Sequence, residues 1–343
     1  MRRTALASVL LFSLGCRFSQ TEAAEARLTK LPAVVTGAAV RPVGDPRRGY
    51  GSEKSRETLA RLSRMGVNTI AVLIEGRMKG LADPDIQLPD PDTRSAVREV
   101  LKDAADLGLA TVLVPHLYLD DGEWRGRIRY DDARAKVFFA AHQAFIVAAA
   151  EDAAAGRASL LSIGVELKAI SSTQQGADHM RALAERVRSV FSGPLTYSAN
   201  WDEAENVAFW DVVDVAGVNG YYPLEPDVER GAEAVARRLG TLADIAKREV
   251  LVLEVGYRSG PLSHLRPWEW PQDVPEDVDA SAQARAWAAV LTTWLHTKGV
   301  RGLIVWVVPT DPDDPASEPP NGFSPMNKPA EEVIARAFRA KAP

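Results

Sequence analysis

Two stretches decide the architecture of this chain: Ser159-Leu160-Leu161-Ser162-Ile163-Gly164-Val165-Glu166 and Val250-Leu251-Val252-Leu253-Glu254. Each is a mostly apolar run that stops on a carboxylate. A strand with one face in water alternates apolar and polar residues. A run that is apolar on both parities is buried on both faces, as strands of a parallel sheet are. Outward from these two, runs of the same kind recur at residues 33–40, 67–74, 110–116, 194–200, 212–219 and 302–306. Stretches of helical periodicity separate them. Ser52 is placed to cap a helix running to Arg64, which Gly66 ends. Further helices are expected near residues 92–106, 132–154, 177–191, 230–247, 281–298 and 330–339, with a short helical turn near 203–209.

Eight strand–helix units in strict alternation argue an α/β fold, and that number favours a single (β/α)8 TIM barrel over an open doubly wound sheet. No G-x-G-x-x-G or P-loop pattern follows the first run, which removes the usual nucleotide-binding folds. The chain has 343 residues, 46% of them apolar and 25% charged, enough to build one large barrel core. Its formal net charge is -5, and the cations are scattered, so it lacks the basic stripe that a nucleic-acid partner requires.

The first residues read as an export signal. Arg2 and Arg3 precede an uncharged, mostly apolar run from Ala5 to Leu14, too short to span a bilayer. The run ends at Gly15-Cys16, and Cys16 is the only cysteine. Phe12-Ser13-Leu14-Gly15-Cys16 resembles a bacterial lipoprotein processing site, which implies lipidation of Cys16 and a place in the cell envelope; an ordinary signal peptide, cut elsewhere and followed by secretion, is the alternative. Residues 1–16 are thus expected to be a signal peptide, 17–31 a tether and 32–343 the barrel, with a membrane partner only through the lipid.

Barrels of this kind carry their active sites at the C-terminal ends of the strands. The polar or aromatic residues that end the apolar runs are Glu75, His116, Glu166, Asn200 with Trp201, Asn219 with Tyr221 and Tyr222, Glu254, and Trp306. Glu166 and Glu254 have no basic neighbour in sequence, and a carboxylate is costly to hold at such a position without a purpose. A metal site is poorly supported. The five histidines include no H-x-H pair and no H-E-x-x-H motif, and the acidic loop Asp311-Pro312-Asp313-Asp314 lacks the spacing and glycine of an EF-hand. No cofactor is expected.

Leu161-Ser162-Ile163-Gly164-Val165-Glu166-Leu167, Leu253-Glu254-Val255-Gly256-Tyr257-Arg258-Ser259 and Gly302-Leu303-Ile304-Val305-Trp306 resemble glycoside hydrolase family 113, within the clan of retaining (β/α)8-barrel glycosidases. The likeness runs over residues 33–340. It implies hydrolysis of a β-linked, mannan-like carbohydrate by double displacement, with Glu166 as acid/base and Glu254 as nucleophile. Such chemistry needs one carboxyl to protonate the leaving oxygen and another to attack the anomeric carbon. The resemblance further implies that Tyr221 or Tyr222 supports the nucleophile, and that His116, Asn200, Trp201, Asn219 and Trp306 contact sugar. Asp120, Asp121, Glu123 and Trp124 lie in a loop suited to a carbohydrate cleft. Many clan members have Asn just before the acid/base, where this chain has Val165; Arg77 is the candidate for the clan's arginine near the second strand. A carbohydrate-binding surface lipoprotein that kept the barrel and lost turnover is the alternative.

Overall fold

Eight parallel strands close on themselves in chain order, each hydrogen-bonded to the next and the eighth to the first. They are β1 (Val35–Arg41), β2 (Thr69–Met78), β3 (Ala110–Leu119), β4 (Leu160–Val165), β5 (Leu195–Asn200), β6 (Val215–Asn219), β7 (Val250–Val255) and β8 (Val300–Pro309). Around them lie α1 (Glu53–Arg64), α2 (Pro91–Asp106), α3 (Asp132–Ala155), the single turn α4 (Lys168–Ser171), α5 (Gln174–Arg188), α6 (Val228–Ala246), α7 (Ala280–Thr293) and α8 (Pro329–Arg339). This computed structural model describes residues 30–225, 227–275 and 277–341. The leader, Cys16 and most of the expected tether lie outside the described residues.

The barrel matches the expected fold, and the helices start where sequence chemistry starts them. Ser52, Asp90, Asp131, Thr173, Asp227 and Asp279 each accept a hydrogen bond from a backbone N–H in the first turn that follows. Such caps are worth about 1 kcal/mol each. Between β5 and β6 two 3-10 turns, Ala204–Asn206 and Trp210–Val212, stand where a helical turn was expected. One boundary moves: Leu31, assigned to the tether, packs against the barrel interior, and Arg301 donates to the carbonyls of Leu31 and Pro32.

The core has two shells. Residues of the inner shell, among them Val35, Ala71, Val112, Leu160, Val215, Leu251 and Ile304, fill the barrel. The outer shell lies between strands and helices, and includes Val40, Val72, Leu113, Ile163, Val218, Val252 and Leu303. The period of two along each strand sends successive residues to opposite shells. Three strands break the rule near their ends, β8 among them, where Trp306 and Val307 both face inward. Along β7, Leu251 and Leu253 face inward and Val250 and Val252 outward, yet Val255 also faces outward. Pairing with β6 runs Val218↔Val252 and then Asn219↔Glu254, so β7 carries one extra residue, a β-bulge. β4 does the same against β5, pairing Ser162↔Thr196 and then Val165↔Ser198, and Val165 joins the inner shell. Two of the strands that break register lead to Glu166 or carry Glu254; β8 breaks it as well, against β1 and β7.

Strands β2 and β3 differ from expectation in the other direction. They stay paired past Glu75↔His116 to Met78↔Leu119, so those two residues sit within strands. Glu75 is exposed there and His116 buried.

Candidate active site

A cleft of about 940 Å³ opens over the C-terminal ends of the strands. Glu166 and Glu254 both line it, only 6% and 4% exposed. The bulge in β7 turns Glu254 from the helix-facing side to the cleft. Glu166 follows the bulge in β4 with φ 52°, the left-handed region, where a non-glycine residue costs about 1–3 kcal/mol. Two backbone contacts hold it there: Glu166 N–H donates to Ser198 O at 2.8 Å, and Leu167 N–H to the Tyr197 hydroxyl at 2.8 Å. Tyr197 in turn donates to Glu203 at 2.9 Å.

The two carboxyls are held differently. The Tyr221 hydroxyl donates to Oε2 of Glu254 at 3.0 Å. Burial and the charge of Glu254 push that hydroxyl well above the ordinary tyrosine range, so it remains a donor. Oε1 of Glu254 makes no hydrogen bond, although His116 Nε2 lies 3.1 Å away. Glu166 is bonded on both oxygens. Asn219 Nδ2 donates to Oε1 at 2.8 Å; Trp124 Nε1 and Arg125 Nη2 donate to Oε2, each at 2.9 Å. Arg125 is buried, which works against its charge, but Glu166, Tyr118 and Glu254 together outweigh that and leave its value raised.

Of the residues singled out in the sequence, His116, Asn200, Trp201, Tyr221 and Trp306 line the same cleft as the two glutamates. His116 stacks between Tyr118 and Trp306, with ring centroids 5.9 Å away on each side. The Trp306–Val307 peptide bond is cis. Two candidates lie elsewhere. Tyr222 is a core residue, packed edge-on against Trp201 and Trp294 beneath the Arg238 guanidinium. Asn219 is fully buried behind Glu166 and lines no part of the cleft; with Val165 turned into the barrel, Asn219 from β6, two strands away, bonds the carboxyl. Arg77 stays at the rim, where it pairs with Asp120. The acidic loop after β8 is neutralised from α1 and the loop before it: Asp311 and Asp314 share Arg48, and Asp313 pairs with Arg61 at 3.0 Å.

Sequence reasoning missed Arg125, Tyr118, Trp268, Trp270, Gln272, Asp273 and Phe323, all of which line the cleft. Trp268 stacks on Trp201, centroids 5.7 Å apart and planes 17° apart, while Trp270 meets Trp306 and Phe323 edge-on. Both tryptophans ride on the segment after β7, which begins with the Gly256-Tyr257-Arg258-Ser259 motif. The motif works as an anchor. A side chain at Gly256 would strike the backbone of Trp306, its Cβ only 2.5 Å from that carbonyl oxygen. Gln283 of α7 donates to the carbonyls of Tyr257 and Phe323 and accepts from the Ser259 hydroxyl, tying three segments together. Arg258 pairs with Glu269, next to Trp268 and Trp270. A signal was present in the sequence: three tryptophans within seventy residues of each other on loops facing one rim, in a chain that has eight.

The sequence profile of Glycoside Hydrolase Family 113 matches residues 43–323. The chain belongs to glycoside hydrolase family 113. The matched span takes in every residue that lines the cleft, from His116 to Phe323. Among solved structures, the family 113 β-mannanase AaManA of Alicyclobacillus acidocaldarius, in complex with ManMIm, is similar over 92% of this chain and 99% of its own, at 26% identity and TM-score 0.79. Two structures of family 113 β-1,4-mannanase, one of them a complex, superpose with TM-score 0.80 at 20% and 21% identity, and cover 90% and 91% of this chain and 99% and 100% of their own. At that identity they show the barrel. A comparison with curated proteins gives no match. Family 113 membership makes the chain a glycoside hydrolase.

Proposed function

We propose that this protein cleaves β-1,4-mannan or a closely related β-linked glycan with retention at the anomeric centre. The observation that carries the reading is the unequal treatment of two buried carboxyls across one aromatic-lined cleft, in a family 113 chain whose neighbours are β-mannanases. Glu254 has one oxygen fixed by Tyr221 and the other free of hydrogen bonds, as a nucleophile needs. Glu166 lines the same cleft with Oε2 on its wall side, in reach of a glycosidic oxygen bound there, and N–H donors fix both of its oxygens.

In the first step an oxygen of Glu254 bonds to the anomeric carbon, the bond to the glycosidic oxygen breaks with its electron pair on that oxygen, and the oxygen takes a proton from Glu166. In the second step Glu166 takes a proton from water, the water oxygen bonds to the anomeric carbon, and the electron pair of the glycosyl–Glu254 bond returns to the carboxylate. Trp306 stands beneath this centre as a platform for the sugar's C–H face, and Tyr221 stabilises the glutamate that leaves.

Proton NMR of the first products from β-1,4-mannan, read before mutarotation, tests the mechanism: the β anomer is expected. The α anomer refutes it, and absence of cleavage of mannan, glucomannan, β-glucan and xylan by the purified barrel supports a carbohydrate-binding protein instead. Glu254→Gln is expected to remain folded and lose hydrolysis by at least about a thousandfold, the scale of losing a covalent nucleophile. We also place the protein at the cell envelope through a lipid on Cys16, on the strength of Arg2-Arg3, the apolar run and Gly15-Cys16. Metabolic labelling with an alkyne fatty acid is expected to mark the wild type and not Cys16→Ala; an unlabelled wild type refutes the anchor.

A further inference from the structure

We propose that Trp124 and Arg125 are positioning residues for the catalytic proton: they clasp the cleft-side oxygen of Glu166 and yield it to the glycosidic oxygen of a bound glycan. The proposal rests on Glu166 being the acid/base of the reaction above. Its basis is which oxygen faces where. Asn219, the partner of Oε1, is fully buried and touches no cleft space. Trp124 and Arg125, the partners of Oε2, both form cleft wall. Oε2 is therefore the cleft-side oxygen, the one in line to hand a proton to a glycosidic oxygen. A carboxylate oxygen has two lone-pair sites, and in Oε2 both already accept N–H groups. For Oε2 to carry a proton aimed at substrate, one of those donors has to leave.

The clasp is built to leave. Arg125 has little else to hold it: its Nε has no partner, and Nη1 reaches only the Leu117 carbonyl, at 3.4 Å. Trp124 lies folded over Gly126, where an added Cβ would come within 2.3 Å of the indole. Both residues belong to the short connection between β3 and α3, outside the rigid strands that carry Glu166, Asn219 and Glu254. Their contact fixes the side chain of Glu166 and, because it is an N–H contact to the reacting oxygen, ties proton delivery to the arrival of a leaving group.

Leaving-group dependence separates this role from a merely structural one. Departure of dinitrophenolate needs no proton, whereas departure of a sugar hydroxyl does. kcat/KM of Arg125→Met and Gly126→Ala is expected to fall at least tenfold on β-1,4-mannopentaose and less than threefold on dinitrophenyl β-mannobioside. An equal fall on both substrates, or no fall on either, overturns the proposal. A second measurement needs no turnover. The indole N–H resonance of Trp124, identified as the peak missing from Trp124→Phe, is expected to move in Glu166→Ala without any glycan, and to move again when mannopentaose saturates Glu254→Gln. A peak that ignores loss of Glu166 overturns the clasp, and one that ignores bound mannopentaose overturns its opening. If the wild type cleaves neither substrate the proposed function fails, and the Glu166→Ala spectrum still decides whether the clasp exists.

Discussion

Among the described residues Tyr221 is the single side chain whose hydroxyl reaches the Glu254 carboxyl, so its removal should fall on the chemistry and spare the fold. Tyr221→Phe is expected to lower kcat about 10- to 100-fold with a smaller change in KM, because a hydrogen bond to a charged group is worth about 1.5–3 kcal/mol. Steady-state kinetics alongside circular dichroism checks it, and a KM-only effect contradicts it. Glu203 supports the other carboxyl at one remove. Burial raises its pKa to about 8 from an ordinary 4.5, and it accepts from Tyr197 and from the Asn200 backbone. Between those two values the folded protein keeps a proton that the unfolded chain has released. Stability is therefore fullest below about pH 4.5, as far as this group is concerned, and declines as pH rises to about 8. Glu203→Gln removes the decline: calorimetry should find its unfolding temperature above the wild type at pH 9, by about 5 °C or more, and close to it at pH 4.5. Equal temperatures at pH 9 would show that Glu203 is ionised in the fold.

At the level of elements, the connection after β7 and the pairing of α3 with α5 bear most on behaviour. Gln283 satisfies three buried groups at once, and Gln283→Met orphans them at roughly 1–3 kcal/mol each before relaxation. Urea unfolding should show a loss of about 3 kcal/mol, with KM for long glycans raised because Trp268 and Trp270 lose their anchor. Between α3 and α5, His142 Nδ1 and His179 Nε2 meet at 3.0 Å, and Phe138 and Phe139 stack on them. Burial holds His142 well below the usual histidine range and His179 down at about 4, so both are neutral in the fold near pH 6. The unfolded chain takes up protons as pH falls below about 6.5 and the folded one does not, so stability drops from there toward pH 4. The paired variant His142→Gln/His179→Gln should flatten the fall; an unchanged slope would assign acid lability to other groups.

These elements also show what the sequence reveals and what it hides. The apolar runs with their helical spacers were enough for the barrel, because a strand buried on both faces leaves a plain pattern. Glu166 and Glu254 stood out because each closes such a run. Between Tyr221 and Tyr222 the sequence offered no ground for choosing: both follow the end of β6, and only the path of that loop sends Tyr221 to the cleft and Tyr222 into the core. Arg125 was illegible for another reason, and so were Trp268 and Trp270 beyond the clustering of tryptophans. Their positions depend on how loops fold back over the rim, and nothing periodic in a loop records that.

On the scale of the whole molecule, two aromatic groups share the cleft with the carboxyls: Trp201 stacked on Trp268, and Trp270 edge-on to Trp306 and Phe323. Trp268, 43% exposed, has an open face for a sugar beyond the reacting one. Trp268→Ala should leave cleavage of the shortest substrate near the wild-type rate and lower kcat/KM on mannohexaose about 3- to 10-fold, for an aromatic contact of roughly 0.5–1.5 kcal/mol. A chain-length series decides it, and a uniform fall at every length contradicts a distal platform.

The extra residue in β7 makes the place of Glu254, the proposed nucleophile, a matter of phase. Were β6 and β7 to advance in step to their ends, Glu254 would point among the helices and Val255 into the cleft. The imperfection in pairing is what puts the acid on display. Selection on such a barrel has to protect a flaw in the sheet as firmly as it protects the glutamate. A designer who grafts the two acids onto a flawless eight-stranded cylinder would copy the letters and lose the enzyme.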